Sequence, residues 1–401
     1  MSENQEKDSR TEIIGESQGL ITPKEKNMGI GDGKQIARDT NKHPRFEWLD
    51  QFRGIVIVLF IVSAVTWILS GDFTALGNGQ YTNVQPPVGP TYMNHGWKWA
   101  DTPPGWPQMI TLIDIGQQIF IFLVGFMQAF SFIRRKTTIN EKNAVIHIIR
   151  RFLLIMLLSF IEALIGDFDI SQWDWFDILW YGTLANIAWA SLAAGLVAYK
   201  VQEGDKRLLI GSIILLVHAI LYAIPALREF RVYYRGDDTL FRMPWNTINH
   251  AAIAIIGAAY ASWILNVDRT VSETGLQKRV LPVSAIMFAL TYLVDFLQPA
   301  HHQNCTTALA MMAIGTSGFM VFIFIQFDKY RFRVPGLTAF GKNMLLMFVL
   351  SLIVSEAFVP AIEDLAFAHP LYGLILAGIC PILIMYAIAK FLEWRNIVVK
   401  I

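Results

Sequence analysis

The chain has 401 residues, of which 54% are hydrophobic and only 16% charged, with a formal net charge of +1. A water-soluble domain carries roughly a quarter charged residues, so an ordinary soluble enzyme is excluded. Basic residues fall in small clusters rather than along a stripe, which excludes a nucleic-acid partner.

Residues 1–44 are rich in Glu, Lys, Asp, Asn and Gly and contain no apolar run. Such a composition cannot bury enough surface to offset the entropy of ordering, and it lacks the apolar core and cleavage site of a signal peptide. It reads as a disordered cytoplasmic tail ahead of a multi-pass domain over 45–401. From there the chain alternates apolar blocks with polar connections. The blocks lie near 54–70, 109–133, 146–165, 176–199, 208–227, 247–266, 280–297, 306–327, 338–359 and 371–392. A bilayer core needs about 20 apolar residues in a helix, and continuous runs in lipid must be helical to satisfy their backbone. The predicted fold is therefore all-α and membrane-integral, with about ten transmembrane helices.

Lys and Arg in the connections set the orientation. With a cytoplasmic amino terminus, the inner connections hold Arg134, Arg135, Lys136, Arg150, Arg151, Lys200, Lys206, Arg207, Lys278, Arg279, Lys329, Arg331 and Arg333, among others. The outer ones hold Lys98, Arg228, Arg231, Arg235 and Arg242. An even helix number then puts the carboxyl terminus in the cytoplasm too, as expected of a multi-pass protein of the cell membrane. Cys305 and Cys380 are too few for a disulfide framework and read as free thiols.

Ionisable groups inside spans are costly, so each is a candidate site. Here they are Asp114, Glu162, His218, Asp295 and Glu356. Glu162 and Asp295 lie near the outer boundary, where reaching water explains them equally well. His218 is mid-helix and reads first as a neutral imidazole hydrogen-bonded to a neighbouring helix. Asp50 and Arg53, three apart at the start of the first block, can form an ion pair that merely anchors the helix. Two outer segments stand out: 71–108, with "YMNHGWKWADTPPGWP", and 166–177, "GDFDISQWDWFD". His95 there is a candidate general base. Trp97, Trp99 and Trp106 offer faces for a sugar ring, or simply an aromatic belt. His301, His302, Asn304 and Cys305 lack the spacing of a zinc site and read as a polar helix terminus, so no metal is expected.

The segment "RFEWLDQFRGIVIVLFIVS" resembles the opening of the heparan-alpha-glucosaminide N-acetyltransferase-like family of transmembrane acyltransferases, whose Asp-x-Phe-Arg-Gly pattern is met by Asp50, Phe52, Arg53 and Gly54. The family's His-bearing loop, following Trp, and Asp that opens a helix ending Phe-x-Phe-x-x-Gly are matched by His95, Trp97 or Trp106, Asp114 and Gly125. "WYGTLANIAWASLAAGLV" and "NTINHAAIAIIGAAYASWIL" resemble its fourth and sixth core helices. "FGKNMLLMF" resembles its Gly-x-Asn segment through Gly341 and Asn343, and "WRNIVVKI" its closing tail. The chain departs from the family pattern in a longer stretch from His95 to Asp114 and in Gln118 for a Pro. It also has Met243–Asn246 for an acidic element and Ser351 with Leu352 for a His-Glu pair.

The resemblance implies an acyltransferase that takes an acetyl group from cytosolic acetyl-CoA to an amino sugar or other glycan outside. It implies His95 as base or acyl carrier, with Asp114 orienting it. Asp50, Arg53, Lys342 and Asn343 would face the acyl-CoA, and Trp97, Trp106, Trp173 and Asp174 the acceptor. The bilayer is the one further partner expected, and a homodimer is compatible with the sequence. Two other readings stay open: a secondary transporter, and a degenerate relative that binds a glycan or lipid without turnover.

Overall fold

The computed structural model describes residues 46–75, 115–135, 141–166, 177–224, 245–266, 270–298, 305–354 and 370–398. The tail read over 1–44 and the two outer segments therefore lie outside the described residues, apart from their ends. The described residues from Phe46 onward belong to one unit.

Helices account for nearly all of it, and among the described residues there is no strand, only an isolated bridge between Leu265 and Val271. In chain order, α1 is Glu47–Ala75, α2 Gly116–Arg135, α3 Glu141–Gly166, α4 Thr183–Lys200, α5 Gly204–Ala223 and α6 Trp245–Ile264. They are followed by α7 Leu281–Leu297, α8 Thr307–Lys329, α9 Pro335–Lys342, α10 Met344–Val354 and α11 Pro370–Trp394. Each apolar block carries one of these helices, with two departures in outline. The 176–199 block breaks at Gly182, with a π-helical turn, Asp177–Tyr181, ahead of α4. The 338–359 block bends by 95° at Asn343, so α9 and α10 form a broken pair rather than one rod. Among the described residues α3, α5, α6 and α8 are each long and apolar enough to cross a membrane, and the bent pair makes a fifth if counted as one span.

Cross-helix bonds show how the helices alternate. At one end the start of α1 meets the end of α9, and Arg207 at the start of α5 reaches Ala198 near the end of α4. At the other end His218, late in α5, meets Asn249 and Thr307 at the starts of α6 and α8. Every described Lys and Arg lies at the first end, called here the basic end.

The centre is α2, α6 and α8, and small residues let the first two touch. A Cβ on Gly125 would overlap the backbone of Ala254, and one on Gly257 the backbone of Phe122. This reciprocal approach is the small-residue packing by which helices associate in lipid, where apolar burial alone gives no drive. α4 joins through buried Ala185, Ala188, Ala190 and Ala194, and through Gln128 Nε2 donating to Ser191 Oγ at 2.8 Å. The peripheral helices turn apolar stripes outward instead. Leu153, Leu157, Ile161 and Leu164 on α3 are exposed, as are Leu209, Ile213, Leu216 and Ile220 on α5. Continuous apolar faces of this kind mark a lipid-facing surface rather than a wet one.

Candidate functional site

Two clusters of polar groups occupy the two ends of the bundle.

At the basic end, the segments singled out in the sequence pack on one another. Gly54 of α1 abuts the Leu337 backbone on α9, and Gly341 abuts the backbone of Asp50; neither site has room for a Cβ. Arg53 Nη1 donates to Asp50 Oδ1 at 3.1 Å, while its Nε lies 3.4 Å from Met344 Sδ. Gln51 ties α1 to the α8–α9 connection, donating to the Phe332 carbonyl at 3.3 Å and accepting from the Val334 N–H at 2.9 Å. Asn343, at the break, donates to the Ile397 carbonyl at 3.0 Å. Lys342 pairs with Glu393, which also holds Lys390 at 2.7 Å. These ammonium groups, Lys342 first, hold the Glu393 carboxyl below the usual carboxylate range. Thus Asp50, Arg53, Lys342 and Asn343 do come together, and the chain's closing segment joins them.

Both helix ends at this site stop for a readable reason. After α8 the Phe332 N–H bonds the Phe327 carbonyl and the Arg331 N–H bonds the Asp328 carbonyl, with Arg331 left-handed at φ 57°. After α11, Ile397 and Asn396 repeat the pattern onto Leu392 and Glu393, with Asn396 at φ 55°. These are Schellman turns, the second using Asn in a position that tolerates φ > 0.

Arg151 on α3 was read only as an inner-loop charge. It lies near enough for the Arg53 guanidinium to act on it through space, and its Nε is enclosed without a hydrogen-bond partner. Arg207 is different. Its guanidinium caps helix ends, donating to the carbonyls of Val201 (2.6 Å), Ala198 (2.8 Å) and Ala258 (3.1 Å) and to Ser262 Oγ. It is thereby spent on the fold.

The opposite end holds a buried, uncharged network. Asn249 Nδ2 donates to the Cys305 carbonyl at 2.6 Å and lies 3.0 Å from His218 Nδ1, which is also 3.0 Å from Thr307 Oγ1. Gln298 Oε1 accepts from the Thr307 N–H at 3.3 Å. The imidazole of His218 stacks on Tyr222 and meets Trp245 edge-on. Beside it, Thr247 Oγ1 donates to the Trp180 carbonyl at 2.7 Å and lies 3.0 Å from Asn186 Oδ1. Asn249, Thr307 and Gln298 were not singled out by sequence. The available signal was the run "NTINH", whose Asn246, Asn249 and His250 share one face of α6.

His95, Asp114, Trp97, Trp106, Trp173 and Asp174 lie outside the described residues, as do Glu356 and His301–Asn304. Both cysteines are free thiols. Among the described residues no cluster of His, Cys, Asp and Glu could hold a metal ion. No family model matches the chain, and no curated protein matches it.

Proposed function

We propose that the chain is a multi-pass protein of the cell membrane, crossing it ten times with both termini in the cytoplasm, and that it transfers an acetyl or other acyl group from cytosolic acyl-CoA to an amino sugar or other glycan on the outer face. One observation carries this reading: the Asp-x-Phe-Arg-Gly, Gly-Lys-Asn and closing Trp-Arg-Asn segments, far apart in sequence, meet at the basic end. The restriction of every described Lys and Arg to that end supports placing it in the cytoplasm.

In this reading the phosphates of the donor are held at the basic end by Arg53, with Asp50 fixing its guanidinium and Asn343 fixing the neighbouring turn. Lys342, engaged by Glu393, serves the fold as much as the donor. At the acceptor, His95 takes a proton from the attacking amine or hydroxyl as its lone pair adds to the thioester carbonyl. The carbon–sulfur bond then breaks, and the CoA thiolate leaves and is protonated. Asp114 holds the His95 tautomer, as a carboxylate does for an imidazole base in other acyl transfers. Trp97, Trp106 and Trp173 present faces to the sugar ring, and Asp174 attracts its ammonium group.

The test is acetyl-CoA turnover by the purified protein with a panel of amino sugars. Wild type is expected to release CoA only with an acceptor present, and His95→Ala to lose that release by a hundredfold or more, the scale of a general base. Full activity in His95→Ala, or no release with any acceptor, sinks the reading.

A transporter is the second reading, favoured by the bend between α9 and α10. Discontinuous helices with polar groups at the break are what carriers use to bind cargo. Uptake of a sugar into liposomes without CoA release would select it.

A further inference from the structure

Among the described residues, most of the fully enclosed side-chain polar atoms that lack a partner lie at the end opposite Arg53. Gln118 Nε2 and Oε1, Trp245 Nε1, Asn249 Oδ1 and Gln298 Nε2 have no nitrogen or oxygen partner. They come from α2, from α6 and from the residue that closes α7, and they converge on the turn Cys305–Thr307. Asn249 and Gln298 spend their other amide atoms on Cys305 and Thr307, and Gln118 lies against the Cys305 sulfur, a weak acceptor. Trp245 is edge-on to His218, itself bonded to Thr307.

An enclosed polar atom left without a partner costs stability, and this cluster holds five of them. Packing alone would be better served by Leu at 118 and 298. Groups kept at that cost have a partner, and their chemistry describes it. Gln118 and Asn249 offer acceptors; Gln118, Gln298 and Trp245 offer donors. Neither Lys, Arg, Asp nor Glu belongs to the set, so neither a phosphate nor an ammonium ion is matched. A hydroxyl group, which donates and accepts at once, fits both kinds of atom.

We infer that this cluster, built from Gln118, Trp245, Asn249 and Gln298 around Cys305–Thr307, is a binding site for the uncharged hydroxyl groups of a sugar ring. It rests on the acyltransferase reading only in taking that sugar to be the acceptor.

The test uses the full chain in nanodiscs without acetyl-CoA, so its outcome is independent of whether transfer occurs. Melting is measured with and without N-acetylglucosamine, glucose and, as a charged control, glucuronate. The neutral sugars are expected to raise the melting temperature of wild type and glucuronate not to. Gln118→Leu and Gln298→Leu should each melt at or above wild type while losing the sugar-dependent rise. Gln298→Met, which keeps the length and flexibility, should behave as Gln298→Leu does. Three results overturn the proposal: none of the neutral sugars shifts wild type, the shift survives in the variants, or all three variants melt well below wild type. The last would mean that the amides are satisfied by structural water alone.

Discussion

His218 shows how far neighbours alone can place a proton. The Cys305 carbonyl can only accept, so the Asn249 nitrogen must face it, and that same nitrogen donates to His218 Nδ1. The hydrogen of a neutral imidazole therefore sits on Nε2, and Nδ1 cannot also carry one without facing a donor. We expect nitrogen NMR of labelled histidine to show neutral His218 as the Nε2–H tautomer; an Nδ1–H signal there would refute the network. At the other end, Asp50 is buried and depends on Arg53. Arg53→Met should destabilise by about 3–5 kcal/mol, because it removes the ion-pair partner of a buried carboxylate. Asp50→Asn/Arg53→Met should recover much of that loss in the same melting experiment. The sequence pointed to the spacing of this pair and to a hydrogen-bonded His218. It did not single out Asn249, Thr307 or Gln298, because a polar residue at either end of an apolar helix looks the same whether it meets water or a neighbouring helix.

Among the elements, the α2–α6 crossing is the one most sensitive to a single methyl group. Gly125→Ala puts a Cβ into the Ala254 backbone, whereas Gly116→Ala on the same helix meets nothing within 4 Å. The first should cost about 1–3 kcal/mol or more by forcing the helices apart. The second should be neutral or gain up to about 1 kcal/mol from helix propensity. Thermal melts of the two variants compare them directly. The α9–α11 clamp carries a pH dependence of known sign. Glu393 has a carboxyl lowered by Lys342 and Lys390, so its contribution is present above the unfolded value and is lost as pH falls through the lowered one. Melting should therefore decline as pH drops below about 4, and Glu393→Gln should flatten that part of the curve. The helices themselves were legible as apolar runs. The bend at Asn343 was not, since hydropathy averages over a break and "FGKNMLLMF" contains no proline to announce one.

For the whole molecule, charge and apolar surface agree on an axis. Described cations gather at one end, outward stripes of Leu and Ile wrap the sides, and an uncharged network fills the other end. Composition made the membrane class plain, and the Lys and Arg pattern made the axis plain. Which polar groups meet at each end depends on helix packing, which no run length encodes. On this axis the proposed function puts the donor at the basic end and the acceptor at the other, and sided proteoliposomes test that proposal most directly. With acetyl-CoA supplied only at the basic end and glucosamine only opposite, we expect CoA release on the first side and N-acetylglucosamine on the second, both abolished by His95→Ala. Unmodified glucosamine crossing the bilayer without CoA release would contradict it.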